Sequence, residues 1–195
     1  MNTLKEYYEK SLEYKPQHPI DKQTADFICN FINDNQINLM LEIGSGIGYS
    51  ANYFALNSSI LGIDSYEKEF DFYTICNSNK LSQKINFIWK NFLDEFDNYY
   101  KYQLIFIDAS KTKQIELFEK SINFLDDNGF IIVDNIDLKR LKEKYLSPSV
   151  GTKTIKSIEK ILVKSEEFKK YLKNLPDFKV WILEIGDGLA ICQKK

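Results

Sequence analysis

The sequence predicts a doubly wound, Rossmann-like α/β domain with a mostly parallel sheet closed by an antiparallel hairpin. Three observations predict it. Short apolar runs of strand length alternate with amphipathic stretches of helix length. Several of those runs are apolar at nearly every position, as strands covered by helices on both faces are. Near the C-terminus, Gly186-Asp187-Gly188 joins the last two runs, a turn suited to a hairpin and not to another crossover. The 195 residues suffice for one compact domain, 1–195, with a sizeable core, and no repeat or linker divides them.

Taken in order, a helix near 21–34 leads into a strand over Asn38–Ile43. A helix over 48–57 then precedes a strand over Ile60–Asp64. A helix over 67–79 and strands over Ile85–Trp89 and Gln103–Asp108 come next. The helix over 113–125 repeats Ile115, Phe118, Ile122 and Leu125 at spacings of 3, 4 and 3, an amphipathic pattern. Asn128-Gly129 reads as its stop before a strand over Phe130–Asp134. A lysine-rich helix over 152–173 carries Ile155, Ile158, Leu162 and Phe168 on or near one face and ends at Leu175-Pro176-Asp177. Strands over Phe178–Ile185 and Leu189–Cys192 complete the chain.

Composition narrows the function classes. With 44% hydrophobic and 28% charged residues, the chain is neither disordered nor fibrous. It has no apolar run of the roughly 20 residues that span a bilayer, and Met1 to Glu6 do not open a signal peptide. Cys29, Cys76 and Cys192 lack metal-ligand spacing and read as small core residues of a reduced, cytoplasmic protein. The lone His18 reads as a loop residue. The net charge of −2 conceals an asymmetry: residues 1–138 hold 12 basic and 21 acidic residues, residues 139–195 hold 14 and 7. An excess of +7 at one end suggests an anionic partner. AT-rich coding is the competing explanation, since Ile, Asn and Lys fill 65 of 195 positions and Arg140 is the only arginine.

Two motifs carry chemistry. Glu42-Ile43-Gly44-Ser45-Gly46-Ile47-Gly48-Tyr49-Ser50 follows the first strand and opens a helix, where glycines let the backbone turn sharply and approach a ligand. A dinucleotide loop counted from Gly44 would need glycine at position 49, which is Tyr49. The pattern Glu-x-Gly-x-Gly-x-Gly instead resembles the first motif of S-adenosylmethionine (SAM)-dependent methyltransferases. Asp64, at the expected end of the second strand, can accept both ribose hydroxyls of a nucleoside cofactor. The second motif lies at two further strand ends, Asp108 and Asp134-Asn135, which a doubly wound sheet sets side by side. Two carboxylates and an amide oxygen form a hard ligand set suited to Mg²⁺. Singly, each residue would read as a cap or turn residue.

Together, Phe106-Ile107-Asp108-Ala109-Ser110-Lys111, Asp134-Asn135 and Gly186-Asp187-Gly188-Leu189-Ala190 resemble the metal-dependent O-methyltransferases that include catechol and caffeoyl-CoA enzymes. Within that group, residues 41–51 and 174–194 are most similar to the bacterial tRNA 5-hydroxyuridine methyltransferases, which form 5-methoxyuridine at the wobble position. The resemblance implies a class I methyltransferase fold with a seven-stranded sheet. It implies metal binding by Asp108, Asp134 and Asn135, with Lys111 as base or near-attack group. It also implies SAM against Glu42, Gly44, Gly46, Tyr49, Ser50 and Asp64, with Asn91 in place of the acid that usually meets the adenine amino group and Trp89 nearby. Gln114 stands where a tyrosine is common, and Arg140 where glycine is frequent. The N-terminal region before residue 21 is shorter than is usual in the family, which weakens the inference of a homodimer that the resemblance would otherwise carry.

Three readings follow: a tRNA wobble-uridine O-methyltransferase docking the anticodon arm on the lysine-rich segment 139–179, a small-molecule catechol-type O-methyltransferase, and a non-catalytic SAM- or nucleotide-binding module. The ligand set with Lys111 argues against the third. The basic C-terminal segment favours the first over the second, because RNA affinity rests largely on phosphate neutralisation.

Overall fold

The computed structural model describes residues 1–14, 19–94, 100–146 and 152–195, without the side chains at 139, 140, 144, 152 and 153. His18 therefore lies outside the described residues. Element order is α1(Leu4–Ser11), α2(Lys22–Asp34), β1(Leu39–Ile43), α3(Tyr49–Asn57), β2(Gly62–Glu67), α4(Phe70–Asn79), β3(Ile85–Trp89), β4(Tyr102–Ile107), α5(Gln114–Ile122), β5(Leu125–Asp134), α6(Lys139–Tyr145), α7(Thr152–Lys173), β6(Phe178–Leu183) and β7(Leu189–Lys194). The seven strands form one sheet in the order β3-β2-β1-β4-β5-β7-β6. β1 to β5 pair in parallel, and β7 is antiparallel to both β5 and β6. The predicted parallel sheet with its closing hairpin is what forms.

Strand alternation splits the core in two. Met40, Ile63, Phe87, Leu104, Phe106 and Ile132 point toward α1, α2, α3 and α4, with Phe54 of α3 edge-on to Phe106 at 5.6 Å. Leu41, Ile43, Ile105, Ile107, Ile131 and Val133 point the other way, toward Phe118 of α5 and Phe168 and Leu172 of α7. Each such fully buried side chain contributes about 1.5–3 kcal/mol relative to exposure. Cys29, Cys76 and Cys192 are buried and free, as the sequence reading has them.

The elements differ from expectation at several points. β2 runs to Glu67, three residues beyond Asp64, because Ser65 and Glu67 are buried polar residues with partners in the loop after β1. α5 ends at Ile122, and Asn128-Gly129 lies inside β5, not at a helix stop. α1, capped by Thr3, buries Tyr7 against α3. Positions 139–145 form the short α6. No helix among the described residues is long and apolar enough to cross a membrane.

Candidate active site

The parallel order points the C-terminal ends of β1, β2, β4 and β5 at one rim, and the singled-out residues gather there. Glu42, the last residue but one of β1, is completely buried. One carboxylate oxygen accepts from the Ser65 hydroxyl, Ser65 is itself bonded to Ser45, and the Ser50 hydroxyl nearby helps to stabilise the charged form. Its Oε1 is buried without a partner among the described residues. Burial pushes the Glu42 carboxyl from 4.5 up to about 7, against the lowering effect of the two serines.

Gly44 holds φ at +102°, a conformation that disfavours any side chain, and a methyl group there would run into the carbonyl of Asp108. The Asp108 N–H in turn donates to Ile43 at 3.1 Å. The glycine loop and the end of β4 are therefore in direct backbone contact. Tyr49 and Ser50 open α3; Ser50 lies by Glu42, and the Tyr49 ring is buried against Tyr8 and Tyr53.

The structure moves the expectation for Asp64. It sits mid-strand beside Leu41, on the sheet face opposite Glu42, and its oxygens accept from Asn86 at 2.9 Å and from the Tyr102 hydroxyl at 2.7 Å. The acid at the end of β2 is Glu67, which accepts from the Gly46 N–H at 2.8 Å and the Glu69 N–H at 2.8 Å. Burial raises its carboxyl above the ordinary value. Asn91, after β3, is engaged in a local turn, donating to Asp94 at 2.9 Å and accepting from the Leu93 N–H at 3.3 Å. The half-exposed Trp89 donates to the Lys68 carbonyl and packs edge-on to Phe70 at 4.6 Å.

Asp108, Asp134 and Asn135 do come together. The Asn135 amide nitrogen lies 3.3 Å from Asp108 Oδ1, and the Asn135 N–H donates to Asp134 Oδ1 at 2.7 Å. Asn135 adopts φ +61°, a left-handed conformation asparagine tolerates better than most residues. Desolvation raises both carboxyls, with Asp108 and Asp21 adding to the rise of Asp134 and the Lys111 ammonium opposing it at both. Among the described residues no group of three or more His, Cys, Asp or Glu is arranged for a metal; the set here is two carboxylates and an amide. The loop that follows is tied down by Ile136 N–H to Gly188, Asp137 N–H and Leu138 N–H to Asp187, and the buried Ser165 hydroxyl of α7 to Ile136.

Sequence reasoning missed Ser65, Glu67 and the packing role of Gln114. Glu67 had a signal, an acid three positions past Asp64 and just before a helix. Gln114 is buried, donates to the Asp134 carbonyl at 3.3 Å and leaves its own Oε1 unpartnered.

The whole molecule aligns with solved methyltransferases. A Staphylococcus aureus protein assigned as a caffeoyl-CoA O-methyltransferase superposes with a TM-score of 0.81 at 26% identity, covering 100% of this chain and 93% of that one. An SAH-bound methyltransferase of Podospora anserina gives 0.81 at 18% identity over 98% and 87% of the two chains. The SAH complex of a Bacillus cereus O-methyltransferase gives 0.76 at 21% over 98% and 90%. These last two share the fold. A profile of the O-methyltransferase family matches residues 1–195, so this chain belongs to that family and is an O-methyltransferase.

Proposed function

We propose that the enzyme transfers a methyl group from SAM, bound over the Glu42–Ser50 loop, to a hydroxyl oxygen of an acceptor held at Asp108, Asp134 and Asn135 with a divalent cation. The observation that carries this reading is the contact of Gly44 with the Asp108 carbonyl, which gives the cofactor loop and the oxygen cluster a common wall. Glu42 Oε1, buried and unpartnered, fits an N–H donor of the cofactor. Glu67 takes over from Asp64 as the acid for ribose hydroxyls. Tyr49 serves the loop by packing. Asn91 would meet adenine only by releasing Asp94.

The residues fit Mg²⁺: two carboxylates held in a low-dielectric site with an amide beside them are a hard oxygen set short of positive charge. Bound there, the ion would favour the ionised form of an acceptor hydroxyl. Lys111, whose charge reaches both carboxylates, would orient that oxygen or take its proton. Holding the acceptor and the methyl donor in line supplies much of the acceleration.

For the acceptor we favour 5-hydroxyuridine at the tRNA wobble position, whose 5-hydroxyl and 4-carbonyl are neighbouring oxygens able to share one cation. Support comes from α7, which packs on the loop after Asn135 through Ser165 and exposes Lys156, Lys160, Lys164, Lys170 and Lys173. Of Lys139, Arg140, Lys142 and Lys144, expected nearest the acceptor, only the Lys142 side chain is among the described residues, 3.8 Å from Glu166 of α7; that of Lys153, expected farther along the helix, is also outside them. A small-molecule acceptor has its own support in the 26% identical S. aureus protein. The test incubates the enzyme with SAM, Mg²⁺ and either hypomodified tRNA or a catechol. Nucleoside mass spectrometry should detect 5-methoxyuridine, lost when Lys156, Lys160 and Lys164 are reversed to Glu. Turnover of the catechol alone would sink the tRNA reading, and full turnover in chelator would sink the cation.

A further inference from the structure

We infer that Gln114 is a positioning residue that locks the peptide between Asp134 and Asn135, and through it the three-oxygen set at the rim. This rests on the proposed cation site and adds a residue to it. Both polar groups of that single peptide are held: its carbonyl accepts from Gln114 Nε2 at 3.3 Å, and its N–H donates to Asp134 Oδ1 at 2.7 Å. Rotation of this peptide plane is what would carry Asn135 out of its left-handed conformation, and with it the amide that lies 3.3 Å from Asp108. The N–H clamp belongs to Asp134 itself and is lost whenever that carboxylate turns to another partner. The carbonyl clamp comes from a different element, the first residue of α5, and stays.

The way Gln114 is buried points the same way. It is 4% exposed, and its Oε1 is sealed from solvent with no partner among the described residues. A residue that only filled this space would be apolar, since an unpaired buried acceptor is unfavourable. The flipped amide is excluded, because it would set Oε1 against the Asp134 carbonyl. Gln114 thus accepts an orphaned oxygen in order to present one donor to one carbonyl.

The experiment compares the wild-type chain with Gln114→Met, which keeps length and volume but has no donor, and Gln114→Glu, which keeps a donor while protonated. Amide hydrogen exchange of metal-free protein reads the clamp directly. Asn135 N–H should exchange on the order of tenfold faster in Gln114→Met, with Ile63 N–H unchanged, and Gln114→Glu should restore protection at mildly acidic pH. Mn²⁺ alone, titrated by electron paramagnetic resonance, should bind roughly 10–100-fold more weakly to Gln114→Met, the usual loss when a residue orienting a ligand is removed. SAM affinity should not change. Unchanged exchange at Asn135 with unchanged Mn²⁺ affinity would overturn the assignment. A wild-type chain that does not bind Mn²⁺ while Asn135 still loosens in the Met variant would instead refute the cation site and leave the clamp standing. If Gln114→Met does not fold, the protection of Asn135 N–H in Gln114→Glu relative to wild type at the same pH decides alone, and a ratio that does not change between mildly acidic and alkaline pH would refute the clamp.

Discussion

Glu42 makes the protein less stable as pH rises, and Glu42→Gln should remove that dependence. The carboxylate is sealed near the end of β1, its Oε2 accepting from Ser65 and its Oε1 without a partner among the described residues. Its carboxyl is raised from 4.5 to about 7 by burial. At about 1.4 kcal/mol per pKa unit, ionising it costs about 3 kcal/mol more in the folded chain than in the unfolded one. Between those two values the folded chain keeps a proton that the unfolded chain releases, so stability falls as pH rises through that window, and above about 7 the whole loss is present. Glutamine does not titrate. It leaves an amide N–H facing the orphan position, a penalty that is the same at every pH and cancels from the comparison. The stability of Glu42→Gln relative to wild type should therefore rise by about 3 kcal/mol from the acidic to the alkaline side of this window. Urea unfolding followed by circular dichroism suits the measurement, since Trp89 and Trp181 are both too exposed to report on the core. A difference that stays constant to within about 0.5 kcal/mol across the window would refute the argument. The same substitution should weaken SAM binding about tenfold or more by removing a charge-assisted hydrogen bond.

Three further outcomes follow from the same rim. Glu67→Gln should weaken SAM binding by about tenfold in calorimetry, whereas Asp64→Asn should leave it within about twofold; the reverse order would return the ribose role to Asp64. Gly44→Ala should destabilise the chain by at least about 2 kcal/mol in thermal unfolding, because φ +102° strains any side chain and the new methyl meets the Asp108 carbonyl; an unchanged melting temperature would mean that the loop and β4 are not in contact. Asp134 binds its proton more tightly in the folded state, so metal-free protein should lose stability as pH rises above the ordinary carboxylate range, and Asp134→Asn should flatten that fall; identical pH profiles for the two proteins would contradict the burial of this acid.

The fold was legible because its signals are apolar and periodic. Strands such as Ile85–Trp89 and the 22-residue α7 announce themselves by what they bury, and both lie where the pattern sets them. The acid at the end of β2 was not legible for the same reason inverted. The apolar signal of β2 stops at Ile63, so the strand reads as ending at Asp64 and the next helix as starting at Glu67. The missing three residues, Ser65, Tyr66 and Glu67, are strand residues whose polar members turn inward to the loop. Ser65 satisfies Glu42, and Glu67 satisfies Gly46. Asp64 faces the other way, where Tyr102 and Asn86 occupy it. A strand that buries polar groups against a ligand loop has no hydrophobic end to detect, and a boundary error of three residues exchanges one face of the sheet for the other. Gln114 was hidden by the same logic, since nothing in a sequence separates a glutamine on a helix surface from one whose single donor holds a carbonyl. The metal-ligand pattern escaped the problem because Asp108 and Asp134-Asn135 follow long apolar runs whose ends are unambiguous. Where the interior of a site is polar, its residues are found by asking which buried donors and acceptors lack partners; among the described residues that question returns Glu42 and Gln114 at the rim, together with the Tyr7 hydroxyl in the packing of α1.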